Sequence, residues 1–430
     1  MTPRWYHRLL HPVIGPRARA RVAALVGATL LSLVAIGFAM AGEQAQRGFG
    51  LLVHAVWWAP LIVTPLTFAG VVALTRARWP GARGSGIPQV MAAGRAPTAA
   101  SSQRLVALPV AAAKFVLTIV MLLAGAPAGR EGPTVQISAA IMAAVHRWMR
   151  VPVTSGVVIA GGAAGVAAAF NTPLAGVAFA IEELASAFEQ RVAALVMVTV
   201  MASGLISLGV AGDYVYFGAM SQALPLRAML LAAPLAGIMG GLLGGLFAKA
   251  LIAMAWSRNG VFVAIRPRPI AWAFACGLAV AVIGTASGGL SWGTGYDATR
   301  SLLGGDAHSL LFGPARFVAT LATALSGAPG GIFAPTLSVG AGLGQLLAQL
   351  FPRGDAGAIV LLGLIGYFAG VVRAPLTAVI IVSEMTADRS MILPLFAAAL
   401  IADRVSAAVY PQKLYHALAR QFAPPRRNRD

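Results

Sequence analysis

Long apolar runs recur along the whole of this 430-residue chain, and they restrict its fold more than any other feature. The first, VAALVGATLLSLVAIGFAMAG at residues 22–42, is continuous rather than alternating. Inside a bilayer only helices and closed barrels satisfy the backbone, and a continuous run of about 20 apolar residues is typical of a spanning helix. Charged residues make up only 10% of the chain, against roughly 25% in soluble domains. The sequence therefore predicts an all-α membrane protein with many spans.

Two later runs are interrupted in a way that does not suit one straight span. The run at 155–181 contains AAFNTP, and the run at 308–350 contains GAPGGIFAP. Transporters build substrate sites near the middle of the membrane from helices broken in this manner. We therefore expect short helices that end within the membrane.

An internal repeat is the strongest signal in the chain. GAPAGREGPT at 125–134 aligns with GAPGGIFAPT at 327–336, an offset of 202 residues. TPLAGVAFAIEEL at 172–184 aligns with APLTAVIIVSEMT at 374–386 at the same offset. Two matches at one constant offset predict two structural halves, and inverted repeats are common in transporters.

We accordingly expect a transmembrane domain at 22–420, with halves at roughly 22–220 and 221–420. The basic segments 1–21 and 421–430 are expected to be cytoplasmic, because positive charge is retained on that side of the membrane. Because the last segment is short, we expect no C-terminal regulatory domain. The bias towards arginine over lysine, 29 to 3, favours a bacterial inner membrane.

Glu131 is an acid set among small residues within an apolar region. Gly129 and Gly132 bracket it, and Pro133, a residue favoured at the first position of a helix, predicts a helix start there. Free amides and the helix dipole make such a start an anion site. A carboxylate beside it could occupy the site or leave it, as a gate must. An ionisable group in a membrane costs about 2.5–3.5 kcal/mol and is functional by default.

Three segments share one design, with small flexible residues followed by a proline near a predicted helix start. Three such helix starts meeting at one point would bind an anion without a full positive charge, which suits release during transport. The segments are GSGIP at 84–88, GREGP at 129–133 and GGIFAP at 330–335.

These motifs, in this order, resemble those of the CLC chloride channel and transporter family. The resemblance covers about residues 22–420. It implies two inverted halves of tilted and broken helices. It also implies a homodimer in which each subunit has its own anion pathway.

The resemblance also implies roles for particular residues. The Ser85 hydroxyl and the amides of Ile332 and Phe333 would hold the anion, and the hydroxyl of Tyr415 would reach it. Glu131 would be the gate, and Glu183 matches the internal proton-transfer glutamate of the exchanger branch. Retention of serine at position 85 favours chloride over fluoride or nitrate. The full implied anion-binding set is Ser85, Gly86, Arg130, Glu131, Gly132, Ile332, Phe333 and Tyr415.

Some positions depart from the family pattern or leave alternatives open. Gln89 stands where the family commonly has Glu, and Lys114 matches a family position that here has few acids nearby. Glu182 has a repeat mate in Glu384, which indicates a structural role, whereas Glu183 is matched by Met385 and is favoured as the functional acid. A salt-bridged structural role for Glu183, an interfacial tyrosine at 415 and a plain turn residue at 85 are the alternatives.

The function predicted from the sequence is exchange of chloride for protons, gated by Glu131. A passive chloride channel is the first alternative. An intramembrane enzyme with Glu131 as general base is the second, but it lacks a partnered nucleophile. The six histidines show no metal-ligand spacing and there is no nucleotide loop, so we expect chloride as substrate, no metal or other cofactor, and no nucleic-acid partner.

Overall fold

The computed structural model describes residues 15–184, 190–212, 215–220, 224–258, 260–388 and 390–423. Within these ranges the chain is helical, with loops and no β-strand beyond one isolated bridge. Residues 1–14 of the predicted N-terminal segment and 424–430 of the predicted tail lie outside the described residues.

Nine helices precede residue 212, and a π-helical turn at Ala180–Leu184 continues the eighth. They are α1 Pro16–Ala55, α2 Pro60–Arg78, α3 Ile87–Arg95, α4 Ala100–Leu105, α5 Leu108–Leu123, α6 Glu131–Trp148, α7 Ser155–Phe170, α8 Pro173–Phe179 and α9 Gln190–Ala211.

Ten further helices make up the described part of the second half. They are α10 Leu226–Trp256, α11 Val261–Ile265, α12 Pro269–Ala286, α13 Tyr296–Leu303, α14 Phe312–Leu325, α15 Phe333–Ala348, α16 Ala356–Val372, α17 Pro375–Thr386, α18 Ile392–Val409 and α19 Leu414–Ala419.

Seven helical stretches in the described residues are long and apolar enough to cross a membrane. The first, α1, has 40 residues and continues well past residue 42, where the first apolar run was predicted to end. The polar stretch around Glu43 and Arg47 contains no proline, so the helix passes through it. It ends only before Pro60, which begins α2.

The predicted interruptions of the 155–181 and 308–350 runs are confirmed, the second by the gap between Leu325, where α14 ends, and Phe333, where α15 begins. A break that the sequence did not predict repeats the form of the first one. Helix α7 ends at Phe170, Asn171 adopts a left-handed conformation with φ 57°, and α8 begins at Pro173. At the same offset of 202 residues, Arg373 adopts φ 59° between α16 and α17. A left-handed residue ends a helix and the following proline begins the next one.

Two glutamates tie the halves together by reciprocal helix capping. Glu182 accepts hydrogen bonds from the Leu376 and Thr377 amides of α17, at 3.3 and 2.7 Å. Glu384 accepts from the Leu174 and Ala175 amides of α8, at 3.1 and 2.7 Å. Each carboxylate satisfies amides that lack a partner within their own helix. Because the acceptors and the donors are repeat mates, the contact is symmetric about a two-fold axis, as inverted halves require.

Small residues let the helices that carry the site approach closely. In the first half, Gly161 and Gly165 of α7 lie against Ser138 of α6. In the second half, Gly340 of α15 packs on the backbone of Leu364 in α16. Close backbone approach of this kind is the usual basis of helix association in membranes. It holds α6 and α15 rigidly where the two halves meet.

Replacing Glu182 or Glu384 by alanine should destabilise the protein without touching the anion-facing motifs. Each change leaves two amide donors at a helix start without an acceptor, which costs about 1–3 kcal/mol of the free energy of unfolding. Thermal unfolding in detergent should show a lower midpoint for both variants. Glu43→Ala, which removes an exposed acid from α1, is the control and should change the midpoint little. Midpoints equal to that control would contradict the capping role.

Candidate functional site

The two copies of the repeated motif meet through their own glycines. The Gly129 amide donates to the Gly331 carbonyl at 2.7 Å, and the Gly331 amide donates to the Gly129 carbonyl at 2.6 Å. This antiparallel bridge joins residues that are 202 positions apart and repeat mates. It places the first turns of α6 and α15 side by side.

Helix α6 begins at Glu131, two residues before the Pro133 start that the sequence predicted. The first hydrogen bond of this turn runs from the Thr134 amide to the Arg130 carbonyl, at 2.9 Å. Pro133 lies within the first turn, where a missing N–H costs nothing. The side chain of Glu131 therefore projects from the helix itself, and its orientation is set by the helix start.

The carboxylate of Glu131 is buried against the other half of the molecule. Its Oε2 accepts from the Ala334 amide in the first turn of α15, at 3.4 Å, and the amides of Arg130 and of Glu131 itself also face it. The residue has no solvent exposure. A negative group here is stabilised by the unpaired amides and the dipole of α15.

The third predicted motif joins the same point. The Gly330 amide donates to the Gly84 carbonyl at 3.2 Å, and a Cβ on Gly132 would overlap the Ser85 hydroxyl. Gly86 adopts φ 112°, which favours glycine, and a Cβ there would lie 2.6 Å from the Gly132 carbonyl oxygen. The structure thus brings all three predicted helix starts together, with α3 beginning at Ile87.

Two hydroxyls face each other beside this meeting point. The Tyr415 hydroxyl on α19 lies near that of Ser85, yet in the described part of the chain neither makes an aligned hydrogen bond with a protein group. Buried hydroxyls are normally paired with protein or a ligand. Both are therefore free to donate to an anion.

A cavity of about 270 Å³ leads to these hydroxyls. Ser85, Tyr415 and Ile332 line its wall, and three arginines line it as well. Burial, followed by the positive charge of Arg76, lowers the pKa of Arg83 from its ordinary value. The arginines give the cavity a positive potential that concentrates anions. They are Arg76, Arg83 and Arg266.

Phe333 is held by aromatic packing. Its ring is buried, with centroids 5.0 Å from Phe368, 5.9 Å from Phe179 and 6.1 Å from Tyr415. Since α15 begins at this residue, the packing fixes the direction of its first amides. Those amides have no acceptor within the helix.

Lys114 lies directly behind the Ser85 loop. Its Nζ donates to the Gly84 carbonyl at 2.6 Å and to the Arg83 carbonyl at 3.3 Å. Gln89 donates to the same Arg83 carbonyl at 2.6 Å. Among the residues described, no acid forms an ion pair with Lys114, which is fully buried. Its ammonium form would add to the positive potential at the loop.

Arg130 does not join the Ser85–Tyr415 cluster through its side chain. The guanidinium donates to the Ala39 carbonyl and contacts Glu43 at 3.4 Å, both on α1. It lines a second cavity, of about 610 Å³. In the chain, Glu131 thus lies between Arg130, which lines this second cavity, and Gly132, which contacts Ser85 in the wall of the first cavity.

Glu183 is buried in the π-helical turn after α8. Its Oε1 lies 3.3 Å from Nδ1 of His416, the neighbour of Tyr415. Both Glu131 and Glu183 act electrostatically on the Tyr415 hydroxyl. Sequence reasoning missed His416, because 233 residues separate it from Glu183 and no local pattern joins them.

Sequence reasoning also missed the second copy of the Ser85 loop. Arg316, 202 residues after Lys114, is buried and donates to the Trp292 and Gly293 carbonyls at 2.8 and 2.6 Å. The Thr294 amide and hydroxyl that follow donate to Oε1 of Gln46, at 2.8 and 3.1 Å. The side-chain oxygen of Gln46 therefore occupies the donors of this second loop. The 202-residue spacing between Lys114 and Arg316 is the sequence signal that could have revealed the loop.

The model of the family described as voltage gated chloride channel matches residues 67–407, most of the chain. The chain belongs to this CLC family. Two inverted all-α halves, as predicted, are the fold of this CLC protein.

Solved structures share this fold. The X-ray structure of a slow cyanobacterial Cl⁻/H⁺ antiporter matches with a TM-score of 0.80 and 26% identity, covering 97% of this chain and 100% of that one. A eukaryotic CLC transporter matches with a TM-score of 0.75 and 20% identity, covering 96% and 76%. A CLC-type fluoride/proton antiporter matches with a TM-score of 0.75 and 22% identity, covering 91% and 96%. The last two show the fold alone.

Gly129→Ala should strengthen chloride binding. A Cβ at this position would overlap Oε2 of Glu131 and lie 3.1 Å from Pro335 and 3.3 Å from the Ala334 nitrogen, so it displaces the carboxylate from its place at the α15 helix start. Removing an internal competitor raises the apparent affinity in proportion to the fraction of sites it occupied, by about tenfold for a site that is nine-tenths occupied. Titration calorimetry with chloride measures this change.

Gly94→Ala is the matched control, because its added Cβ meets only an Ile159 side-chain carbon at 3.6 Å. It should bind chloride as the unmodified protein does. An unchanged chloride affinity in a folded Gly129→Ala protein would mean that Glu131 does not compete with the anion.

Proposed function

We propose that this CLC protein exchanges chloride for protons across the membrane. The observation that carries the proposal is the buried Glu131 carboxylate, which accepts from the Ala334 amide in the first turn of α15. A carboxylate in that position competes with an anion when charged and can leave when protonated. The likeness to a Cl⁻/H⁺ antiporter at 26% identity supports the same function.

The anion would bind at the meeting point of the three helix starts. The free hydroxyls of Ser85 and Tyr415 donate to it, together with the first amides of α15 at Ile332 and Phe333. Gly86 and Gly132 allow the close approach of the loops. These donors stabilise an anion without a direct ion pair, so that it can leave again. Arg130 would attract anions to the second cavity rather than hold them at the centre.

Two acids would carry the protons. Glu131 takes up a proton when it leaves the α15 amides, because neutral and charged forms differ in their attraction to a helix start. Glu183 is the second acid, and it interacts with the same tyrosine hydroxyl as Glu131. In this proposal the ion gradients supply the free energy, without a metal, a nucleotide or covalent chemistry by the protein.

A passive chloride channel is the second candidate, since the family is described as a chloride channel family. The buried Glu183 favours the exchanger, because a simple anion pore has no need of a second internal acid. Chloride is favoured as substrate because Ser85 is retained, as the resemblance implies.

The proposal also covers the orientation of the protein, its oligomeric state and the membrane in which it lies. The three arginines around the Ser85 cavity indicate that this face, which also carries α19, is cytoplasmic. We extend it to a homodimer in a bacterial inner membrane, with both termini cytoplasmic.

Glu131→Gln should retain chloride flux and lose proton coupling. The amide keeps the size of the side chain but cannot cycle between charged and neutral forms. In liposomes with a chloride gradient, the unmodified protein should move protons uphill, and the variant should move none. If chloride flows through the unmodified protein without any proton movement, the channel is the correct function.

The two adjacent glutamates should differ in their effect on proton flux. Glu183→Gln should suppress proton flux by at least about tenfold, the lower range for loss of a proton-transfer group. Glu182→Gln should reduce it less, since Glu182 caps α17. The measurement is proton uptake per chloride in the same liposomes. A larger loss with Glu182→Gln would reverse the assignment.

A further inference from the structure

Helix α19 places two neighbouring side chains in different environments. Tyr415 is fully buried and lines the Ser85 cavity. The side chain of His416 is 35% exposed, does not line that cavity, and contacts Glu183, whose side chain is 0% exposed. His416 therefore contacts a buried acid on one side and is exposed at the surface of the chain on the other, outside the lining of the anion cavity.

The neighbouring acid does not offer such a connection. Glu182 is partly exposed, but both of its oxygens accept amides of α17. Across the described ranges, His416 forms the one ion-pair contact of Glu183. A buried acid that must exchange protons with water needs a titratable group that reaches the surface, and this histidine meets that requirement.

We propose that His416 is the residue through which protons pass between solution and Glu183. The proposal rests on the exchange function above and adds a residue to it. Imidazole suits this role, because one ring nitrogen can accept a proton while the other donates one near neutral pH.

The transfer balances through the two ring nitrogens. Nε2 takes a proton from water, the ring becomes imidazolium, and Nδ1 gives its proton to Oε1 of Glu183. The neutral ring then carries its proton on Nε2. A flip of the ring, or transfer of a proton in the opposite direction, returns it to its starting state. At 3.3 Å the Nδ1 and Oε1 atoms are in contact without hydrogen-bond alignment. A small rotation of the ring therefore precedes each transfer.

Separate paths for the two ions give the proposal a distinctive consequence. His416 touches neither the Ser85 loop nor the start of α15 in the contacts described. Its loss should reduce proton flux and leave chloride binding intact. A purely structural residue on α19 would disturb Tyr415 and reduce both.

The experiment uses the full chain in liposomes. His416→Gln and His416→Ala should each lower chloride-driven proton flux by on the order of ten- to a hundredfold, the range for loss of a proton-transfer group. Chloride binding by calorimetry should stay at the unmodified value. Added imidazole should restore proton flux to His416→Ala. In the Glu183→Gln background, His416→Gln should cause no further loss.

His54→Gln is the matched control, because it makes the same change at an exposed residue at the end of α1. It should keep the unmodified proton flux. An undiminished proton-to-chloride ratio in His416→Gln would overturn the relay while leaving exchange in place. Equal losses of proton flux and chloride binding would show a structural role and also overturn it. An unmodified protein that moves no protons would overturn both proposals.

Discussion

The pair of hydrogen bonds between Gly129 and Gly331 is the contact on which the rest of the site depends. It joins the repeat mates of two inverted halves, so that two helix starts lie side by side. Each start presents amides that have no partner in its own helix. Because the starts are adjacent, the carboxylate of Glu131 on one helix can occupy the amides of the other, as its contact with Ala334 shows. Without the bridge, the carboxylate of Glu131 would not lie at the start of α15.

The two halves share a scaffold, and the proposed function resides in their differences. Glu131 and Phe333 are repeat mates, and where one presents a carboxylate the other presents a buried ring packed among aromatics. The Ser85 loop has open hydroxyl donors, whereas its counterpart at Thr294 is filled by the Gln46 oxygen. The symmetric scaffold thus provides each helix start and each loop twice. The sequence differences between the halves leave one member of each pair available to an ion in the proposed function.

The sequence predicted the features that repeat at a constant offset or interrupt a helix. The break before Pro173 is of this kind and is confirmed. The structural role assigned to Glu182 from its repeat mate is also of this kind, and the structure gives it the form of a helix cap. The start of α6 was misplaced by two residues, because proline fits any position in the first turn. The Thr294 loop was missed because it lies 209 residues after Ser85 rather than 202. The contact of Glu183 with His416 depends on tertiary packing and has no local pattern.

In the proposed exchange, the carboxylate of Glu131 and the anion compete for one place. In the contacts described, Lys114 donates only to loop carbonyls, so its ammonium form behind the Ser85 loop has no acid to neutralise it. Gln89 stands where the CLC family commonly has Glu. Because its side chain is neutral, it does not neutralise Lys114 either. A buried charge without a partner is costly, and the carboxylate of Glu131 or a bound anion can each lower that cost. In the proposed exchange, a protonated Glu131 no longer does so, and an anion at Ser85 and Tyr415 would take over that role. Protonation of the gate and binding of the anion then favour each other by electrostatics alone.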